Sequence, residues 1–411
     1  MPRRVLLCTA VWWGRCDAEN HRLQRMRQAL HAQGIETVIT ALHAEPGGRE
    51  ADWSAESDAC GAVVRYRLHP GRWVYPSPAM RRVYGAARFH REHGGALIEQ
   101  FACAAVLVYA DQAPLPNACL ALARRHKRPI LVDAAEYHRL SVHYLLNGVN
   151  LQQWRFRHRV VPSIDGLIGV GRGWCAWAQA LNVPTAWVPA FGVEPERTRS
   201  HVAPADAPVR LVFLGHWVGR ECPETLIAGL ELAIQAGVDL HIDVLGKPHG
   251  SYRERAALRA LAAAPGVQAR LRFHGFVSNA ERDAMLADAD LFVLLRRPDR
   301  ETEHLFPTRL PEYLASGNPV ILTATPTFAA CFQHRQTAWL LDAPATPAAV
   351  SEAVQALASD PRLRVDIGAA GRELAQELFG VERLGDRLRQ VIAEADALNS
   401  RRISLHNRTK A

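Results

Sequence analysis

Short, unbroken apolar runs separated by helical stretches recur along the whole chain, and this alternation constrains the fold more than any single residue. In the first half the runs fall at Arg3–Thr9, Ile35–Thr40, Ala62–Tyr66, Ala104–Tyr109, Ile130–Asp133, Gly166–Val170 and Ala186–Val188. In the second half they fall at Arg210–Leu214, Leu240–Leu245, Arg270–His274, Leu291–Leu295 and Val320–Leu322. Runs of this length, rich in β-branched residues, suit strands of a parallel sheet covered on both faces. Between them lie helical patterns such as "ENHRLQRMRQALHAQG", which closes on Gly34, and others near 224–236, 251–263, 279–287 and 308–316. Strand–helix alternation throughout means an α/β protein with parallel sheets.

A chain of 411 residues exceeds one ordinary core, so two domains are expected. The aperiodic, Pro- and Ala-rich stretch "GVEPERTRSHVAPADAPVR" marks the join. The expected organisation is a first domain over 1–191, a linker over 192–208 and a second domain over 209–380. A C-terminal helix over 381–398 packs back towards the first domain, and the tail over 399–411 reads as disordered.

Several function classes drop out. A hydrophobic fraction of 48% with 22% charged residues fits a globular chain, and no apolar run reaches the ~20 residues that span a bilayer. The opening "MPRRVLLCTAVWWGRC" lacks a small-residue cleavage site and reads as a first buried strand, not a signal peptide. The eight cysteines are scattered without a CxxC pair, as expected of buried reduced thiols in a cytoplasmic protein. A dinucleotide fingerprint is missing, the nearest approach being "GVGRGW" at Gly169–Trp174, and neither a P-loop nor Gly-x-Ser-x-Gly occurs.

The net charge of +8 is uneven: residues 1–200 hold 25 Lys and Arg against 16 Asp and Glu, and residues 201–411 hold 24 against 25. An anionic partner on the first half follows, or else solvated arginines without a partner. "MRRVYGAARFHREH" (Met80–His93) turns Met80, Val83, Tyr84 and Ala87 to one helical face and its arginines to the other, and "WRFRHRVV" (Trp154–Val161) interleaves bases with aromatics. Such faces suit an anionic membrane surface and are equally ordinary amphipathic helices. No nucleic-acid recognition motif accompanies them.

The densest information lies in "LFVLLRRPDRETEHLFPTRLPEYLASGNPVI", which reads strand, charged loop, helix, strand. A loop feeding a helix start above a parallel sheet is where anions and nucleotides dock. Gly215, Gly246 and Gly275 end strands or open loops at the same expected sheet edge, where glycine lets a backbone approach a ligand closely. Each alone is a turn. Together with the loop they point to a nucleotide pocket.

Taken in order, "RLVFLGHWVGRECPETLIAGL", "LHIDVLG", "RLRFHGFVSNAERDAMLADADLFVLL" and "LFPTRLPEYLASGNPVILT" resemble the donor domain of the retaining GT-B glycosyltransferases of family 4, over roughly residues 209–380. The first half matches in rhythm, with Gly14 in the loop after the first strand. The resemblance implies a GT-B fold, two Rossmann-like doubly wound parallel-sheet domains facing across a cleft. It implies transfer of a hexose from a nucleotide-diphospho-sugar, with retention, to a glycan or lipid-linked acceptor in cell-surface polysaccharide or glycoconjugate biosynthesis. The expected location is the cytoplasm, in reach of the inner face of the plasma membrane.

By the same resemblance Glu312 holds the nucleotide ribose, a carboxylate accepting two hydrogen bonds from a vicinal diol. Backbone N–H groups at Phe306, Thr308, Arg309 and Leu310 face the diphosphate or sugar, helped by the helix dipole. Gly275 and Phe276 lie at the base, and Gly14, Gly215, His216, Arg220, Gly246 and Lys247 complete the donor set. With Arg220, Lys247 and Arg309 to meet charge building on the leaving phosphate, neither a metal nor another cofactor is required.

The chain departs from the family pattern in places. His304 stands eight residues before Glu312, where the family has its first Glu, with Glu301 and Glu303 out of register. Pro307 replaces a usual glycine, and the basic pair after Gly215 reads His216 and Glu221, with Arg220 alongside. The catalytic candidates are His304, Glu303 and His138, the last being nearest to Ala135, where the family places a His. Two alternatives stay open: a non-catalytic nucleotide-sugar-binding subunit, supported by His304 and Glu221, and a nucleotide-sugar epimerase of the same architecture.

Overall fold

A computed structural model describes residues 4–14, 18–42, 53–68, 77–192, 207–214, 219–246, 263 and 265–410. The chain forms two compact units, one made of Met1–Phe191, His304–Phe306 and Val381–Ala411, the other of Gly192–Glu303 and Pro307–Gly380.

The first unit is built on an eight-stranded sheet in the order β3-β4-β2-β1-β5-β6-β7-β8. Its strands are β1 (Arg4–Trp12), β2 (Glu36–Leu42), β3 (Trp53–Asp58), β4 (Gly61–Tyr66), β5 (Ala105–Tyr109), β6 (Ile130–Ala134), β7 (Gly166–Gly169) and β8 (Thr185–Trp187). All neighbours are parallel except β3, which pairs antiparallel with β4 at the edge. Sequence periodicity misses β3 because "WSAESD" is polar and mostly exposed, with no buried face to impose an apolar pattern. The central strands are buried on both faces. Leu6, Val106 and Val132 point into one apolar cluster, and Val5, Leu107 and Leu131 into another, shared with Leu384, Leu388 and Ile392 of the last helix.

That last helix runs from Val381 to Lys410. Residues 399–410, read from sequence as a disordered tail, continue it. Asn399 is buried and donates from Nδ2 to the Lys127 carbonyl at 3.3 Å, and Arg402 donates to the buried Asp165 carboxylate at 2.7 Å. Specific anchoring to the first unit overrides a composition that resembles a loose end.

The second unit carries a six-stranded parallel sheet in the order β11-β10-β9-β12-β13-β14. These strands are β9 (Val209–Leu214), β10 (Leu240–Leu245), β11 (Leu271–Gly275), β12 (Leu291–Leu294), β13 (Val320–Thr323) and β14 (Trp339–Leu341). Leu211, Ile242, Val293 and Ile321 form the centre of its core with Leu230, Val350 and Leu357 from the covering helices. The helix expected near 251–263 lies outside the described residues. The one expected over 308–316 forms over Leu310–Ala315.

Candidate functional site

In the second unit β9 lies between β10 and β12, so the winding of the sheet reverses at that pair. Ligands of doubly wound sheets bind beyond the carboxyl ends of the strands at such a reversal. Two loops leave the sheet there. After β9 the chain forms a short 3-10 turn over Gly219–Glu221; after β12 it passes straight into Leu295, Arg296 and Arg297. The Arg297 amide donates to the Arg220 carbonyl at 3.1 Å, joining the two loops.

Three arginines gather on these loops. Arg296 is buried, and its backbone amide donates to Thr323 Oγ1 at 3.1 Å. Burial pulls its pKa down to about 9; Glu221 works against that fall, and the neighbouring Arg309 and Arg220 deepen it. Its Nε and Nη1 are buried without a hydrogen-bond partner among the described residues. Arg309 lies 2.5 Å from the buried carboxylate of Glu221 and over the Phe213 ring at 5.2 Å. Burial alone lowers its pKa, but the attraction of Glu221 outweighs this and raises it. Arg220 pairs with Glu301 at 3.3 Å. Arg309 and Arg220 each face a carboxylate, whereas the buried Arg296 has no acceptor at Nε or Nη1 among the described residues. Groups so arranged are stabilised by an added anion.

Glu312 sits one turn away on the helix Leu310–Ala315. Its Oε2 is buried and accepts no hydrogen bond from the described residues. Burial raises its pKa above the ordinary carboxylate value and Asp283 adds to the rise, while Arg282 and Arg309 oppose it. The next residue fixes the helix in place. Tyr313 stacks on Phe292 with ring centroids 4.2 Å apart, and its hydroxyl accepts from the Leu214 amide at 2.7 Å, at the end of β9. The far end of the helix is set by close backbone packing. Gly317 adopts φ +80°, which strains any L side chain there, and a Cβ on Gly368 would lie 2.0 Å from the Gly317 carbonyl oxygen and so could not be added without movement.

Other sequence-derived candidates divide. Gly246 and Gly275 come together, the Gly246 amide donating to the Gly275 carbonyl at 2.7 Å, both with positive φ. Phe276 beside them is exposed. Gly215, His216 and Lys247 lie outside the described residues. Thr308 is exposed. The Leu310 amide donates to the Pro307 carbonyl at 3.1 Å, a tight turn that delays the helix start and occupies an N–H expected to face a ligand.

The remaining candidates belong to the first unit or to its border. Gly14 makes a turn with φ +86° after β1, its amide donating to Asn20 Oδ1 at 3.0 Å. His304 is buried, stacked on Tyr137 at 4.4 Å and edge-on to Trp174 at 5.0 Å. The bare Cα of Gly173 gives it room. Phe306 is buried edge-on to Trp187 at 6.0 Å, whereas Glu303 is exposed. His138 Nε2 lies 3.2 Å from Asp111 Oδ2. Gln153 steadies that pair, its Nε2 donating to Asp111 and its Oε1 accepting from the His138 amide.

Arg296, Tyr313 and Asp111 are absent from the sequence-derived set. Arg296 had a legible signal, an arginine placed directly after the apolar run "LFVLL", at the carboxyl end of a strand. Tyr313 and Asp111 had none, because their roles depend on partners about 99 and 27 residues away in sequence. The sequence also holds an Asp-x-Asp pattern, Asp288 and Asp290. Both engage Arg210 at the amino end of β9, the sheet edge opposite the arginine cluster. Among the described residues no group of three or more His, Cys, Asp or Glu side chains could hold a metal ion.

Residues 196–374 match the sequence model of the family described as Glycosyl transferases group 1. Solved structures resemble the chain over nearly its whole length. The sucrose-phosphate synthase of Thermosynechococcus elongatus superposes with a TM-score of 0.65 at 18% identity, covering 96% of this chain and 99% of that one. Anabaena Alr3699/HepE in complex with UDP and glucose gives 0.62 at 12% identity, covering 95% and 99%. The E. coli trehalose-6-phosphate structure bound with UDP-2-fluoro glucose gives 0.65 at 10% identity, covering 95% and 98%. Among curated proteins no sequence matches. The fold is that of the GT-B glycosyltransferases. The second unit carries a glycosyl transferases group 1 domain, which supports glycosyl transfer in general.

Proposed function

We propose that this protein is a retaining glycosyltransferase of family 4, transferring a hexose from a nucleotide-diphospho-sugar to a glycan or lipid-linked acceptor in cell-surface polysaccharide or glycoconjugate biosynthesis in the cytoplasm. One observation carries the reading: Glu312 presents a buried carboxylate oxygen with no donor among the described residues, one turn from Arg309, and the buried Arg296 on the loop leading to it has two nitrogens without acceptors. A ribose diol supplies the two hydroxyl donors that such a carboxylate lacks. A diphosphate supplies the acceptors that Arg296 lacks, beside Arg309 and Arg220. The spacing of these two deficits along one short segment fits one ligand carrying both groups, and the UDP and UDP-sugar complexes among the structural neighbours make a UDP-sugar the first donor to test.

Mechanism follows from the leaving group. Breaking the bond between sugar and diphosphate builds negative charge on the departing β-phosphate. Guanidiniums fixed beforehand in a poorly hydrated setting stabilise that charge without reorganising. Arg309, oriented by Glu221 and the Phe213 ring, has this character, and Arg296 is buried near it. With cations supplied by the chain, leaving-group stabilisation needs no metal. Retention follows when the acceptor attacks from the face the diphosphate leaves. His138, whose ring abuts Asp111, is the candidate to hold an acceptor hydroxyl; His304 and Glu303 are the other candidates for contact with the transferred sugar.

Calorimetry with UDP-, GDP-, ADP- and dTDP-glucose tests the reading. One donor should bind, and Glu312→Ala should weaken it roughly 10–100-fold, the range for hydrogen bonds to a charged group. Equal binding by wild type and Glu312→Ala removes the assignment. Donor binding without turnover across an acceptor panel would favour the non-catalytic subunit instead.

A further inference from the structure

Residues 140–154 of the first unit expose an unusual amount of apolar surface. Leu140, Val142, Leu145, Leu146, Leu151 and Trp154 are between 46% and 81% exposed. Single exposed leucines are ordinary on a soluble protein, whereas a local concentration marks an interaction surface. Val142, Leu145 and Leu146 have i, i+3, i+4 spacing on the helix Val142–Leu146 and so share one face. Leu151 and Trp154 have i, i+3 spacing on the next helix, Val149–Arg155, which packs against the first. The pair is held rigidly from beneath. Gln152 Nε2 donates to the Tyr84 hydroxyl at 2.8 Å, Gln153 Nε2 to Asp111 at 3.2 Å, and Asn150 Nδ2 to the Arg139 carbonyl at 3.2 Å. The apolar faces are thus presented outward by a fixed scaffold.

The charge around this surface selects its occupant. From Tyr137 to Ile164 the sequence contains four arginines and no Asp or Glu. Arg139 and Arg159 at its two ends are exposed, while Arg157 is committed to the Trp177 ring at 4.5 Å. Apolar side chains with a tryptophan among them, flanked by arginines and with no carboxylate inside the segment, Glu136 and Asp111 lying just outside it, match the interfacial region of an anionic bilayer: hydrocarbon beneath, acidic headgroups around. The other basic segment of this unit offers less. On the helix Pro78–Gln100 Met80, Ala87 and Phe89 are buried, and Arg88 pairs with Glu92 at 2.8 Å.

We propose that Leu140–Trp154, with Arg139 and Arg159, docks the protein on an anionic phospholipid surface. The inference stands on the first unit alone and does not depend on the donor assignment. No helix among the described residues is long and apolar enough to cross a membrane. The proposed attachment, through exposed side chains and two arginines, is interfacial and reversible by salt.

Cosedimentation of the full chain with vesicles of phosphatidylcholine plus phosphatidylglycerol, against phosphatidylcholine alone, tests it. Wild type should partition onto the anionic vesicles and release as salt rises. Leu145→Ser with Leu146→Ser should lower partition roughly tenfold or more, since each leucine loses most of its buried apolar area. Arg139→Gln with Arg159→Gln should also lower it, by about fivefold per arginine, and flatten the salt dependence. Both variants should keep the wild-type melting temperature and donor-induced thermal shift. Wild type remaining in the supernatant overturns the proposal, as does unchanged partition of the leucine variant. A vesicle-independent dimer in sedimentation velocity that the leucine variant abolishes overturns it in favour of a second copy of the chain.

Discussion

Two places treat buried charge in opposite ways, the Arg22 and Asp165 clusters of the first unit and the loops after β9 and β12 of the second. In the first, the buried Arg22 is closed: Nε and Nη2 donate to both Asp133 oxygens at 2.9 and 2.7 Å, and Nη1 donates to the Pro189 carbonyl at 3.0 Å. Asp165, also buried, receives Arg124, Arg402 and the Ile130 amide. In the second unit, among the described residues, Arg296 keeps two buried nitrogens without acceptors and Glu312 a buried oxygen without a donor. A closed pair returns the cost of its own burial, whereas an open one leaves that cost to be met by something outside the chain. Partner count therefore separates the closed buried ions from the open ones better than burial does.

The comparison breaks most directly at Asp133. Asp133→Asn leaves Arg22 buried without its counter-charge and should cost about 3–5 kcal/mol in urea unfolding; a loss below about 1 kcal/mol would mean that the pair is not closed as described. In the second unit the sign should reverse. Arg296→Met removes a cation whose depressed pKa records unfavourable burial, so the unfolding midpoint of the free protein should hold or rise. Donor affinity should fall roughly 10–100-fold, as for loss of a charged hydrogen bond. A fall in stability with unchanged affinity would place Arg296 among the structural ions.

Smaller effects sharpen the picture. Tyr313→Phe takes the acceptor from the Leu214 amide and should cost about 1–2 kcal/mol, with donor affinity weakened through the displaced Glu312; unaltered affinity would mean that the hydroxyl does not position the site. The smallest effect is in pH. The folded pKa of Glu312 lies above its unfolded value. Below the unfolded value the group is neutral in both states and costs nothing. As pH rises through the folded value the free protein loses stability, because the unfolded chain ionises first. Donor affinity should strengthen over the same window as the carboxylate forms. Thermal shifts with and without donor should show both trends in wild type and neither in Glu312→Gln.

Much of the fold is legible in the residue order because the strands are buried on both faces. Ile39, Val106 and Val244 sit in runs that carry their own signal. β3 carries none, being an exposed polar edge, and the end of the last helix carries a misleading one. At the site, Glu312 and the loop before it stand out by motif and spacing. Arg309 was read as a free cation and is found paired with Glu221; a pair between residues 88 positions apart is invisible until the loops after β9 and β12 meet.

The amino-acid sequence by itself determined the α/β class, the two parallel sheets and the segment that holds the donor-type residues, because these follow from local periodicity and short-range chemistry. Only the tertiary structure decided which buried charges are satisfied and which remain open, where Tyr313 ties its helix to β9, and that the apolar residues of 140–154 face outward. The reason is that burial and partnership are properties of segments brought together from far apart in the chain, and a side chain's electrostatic role is set by the company it keeps there.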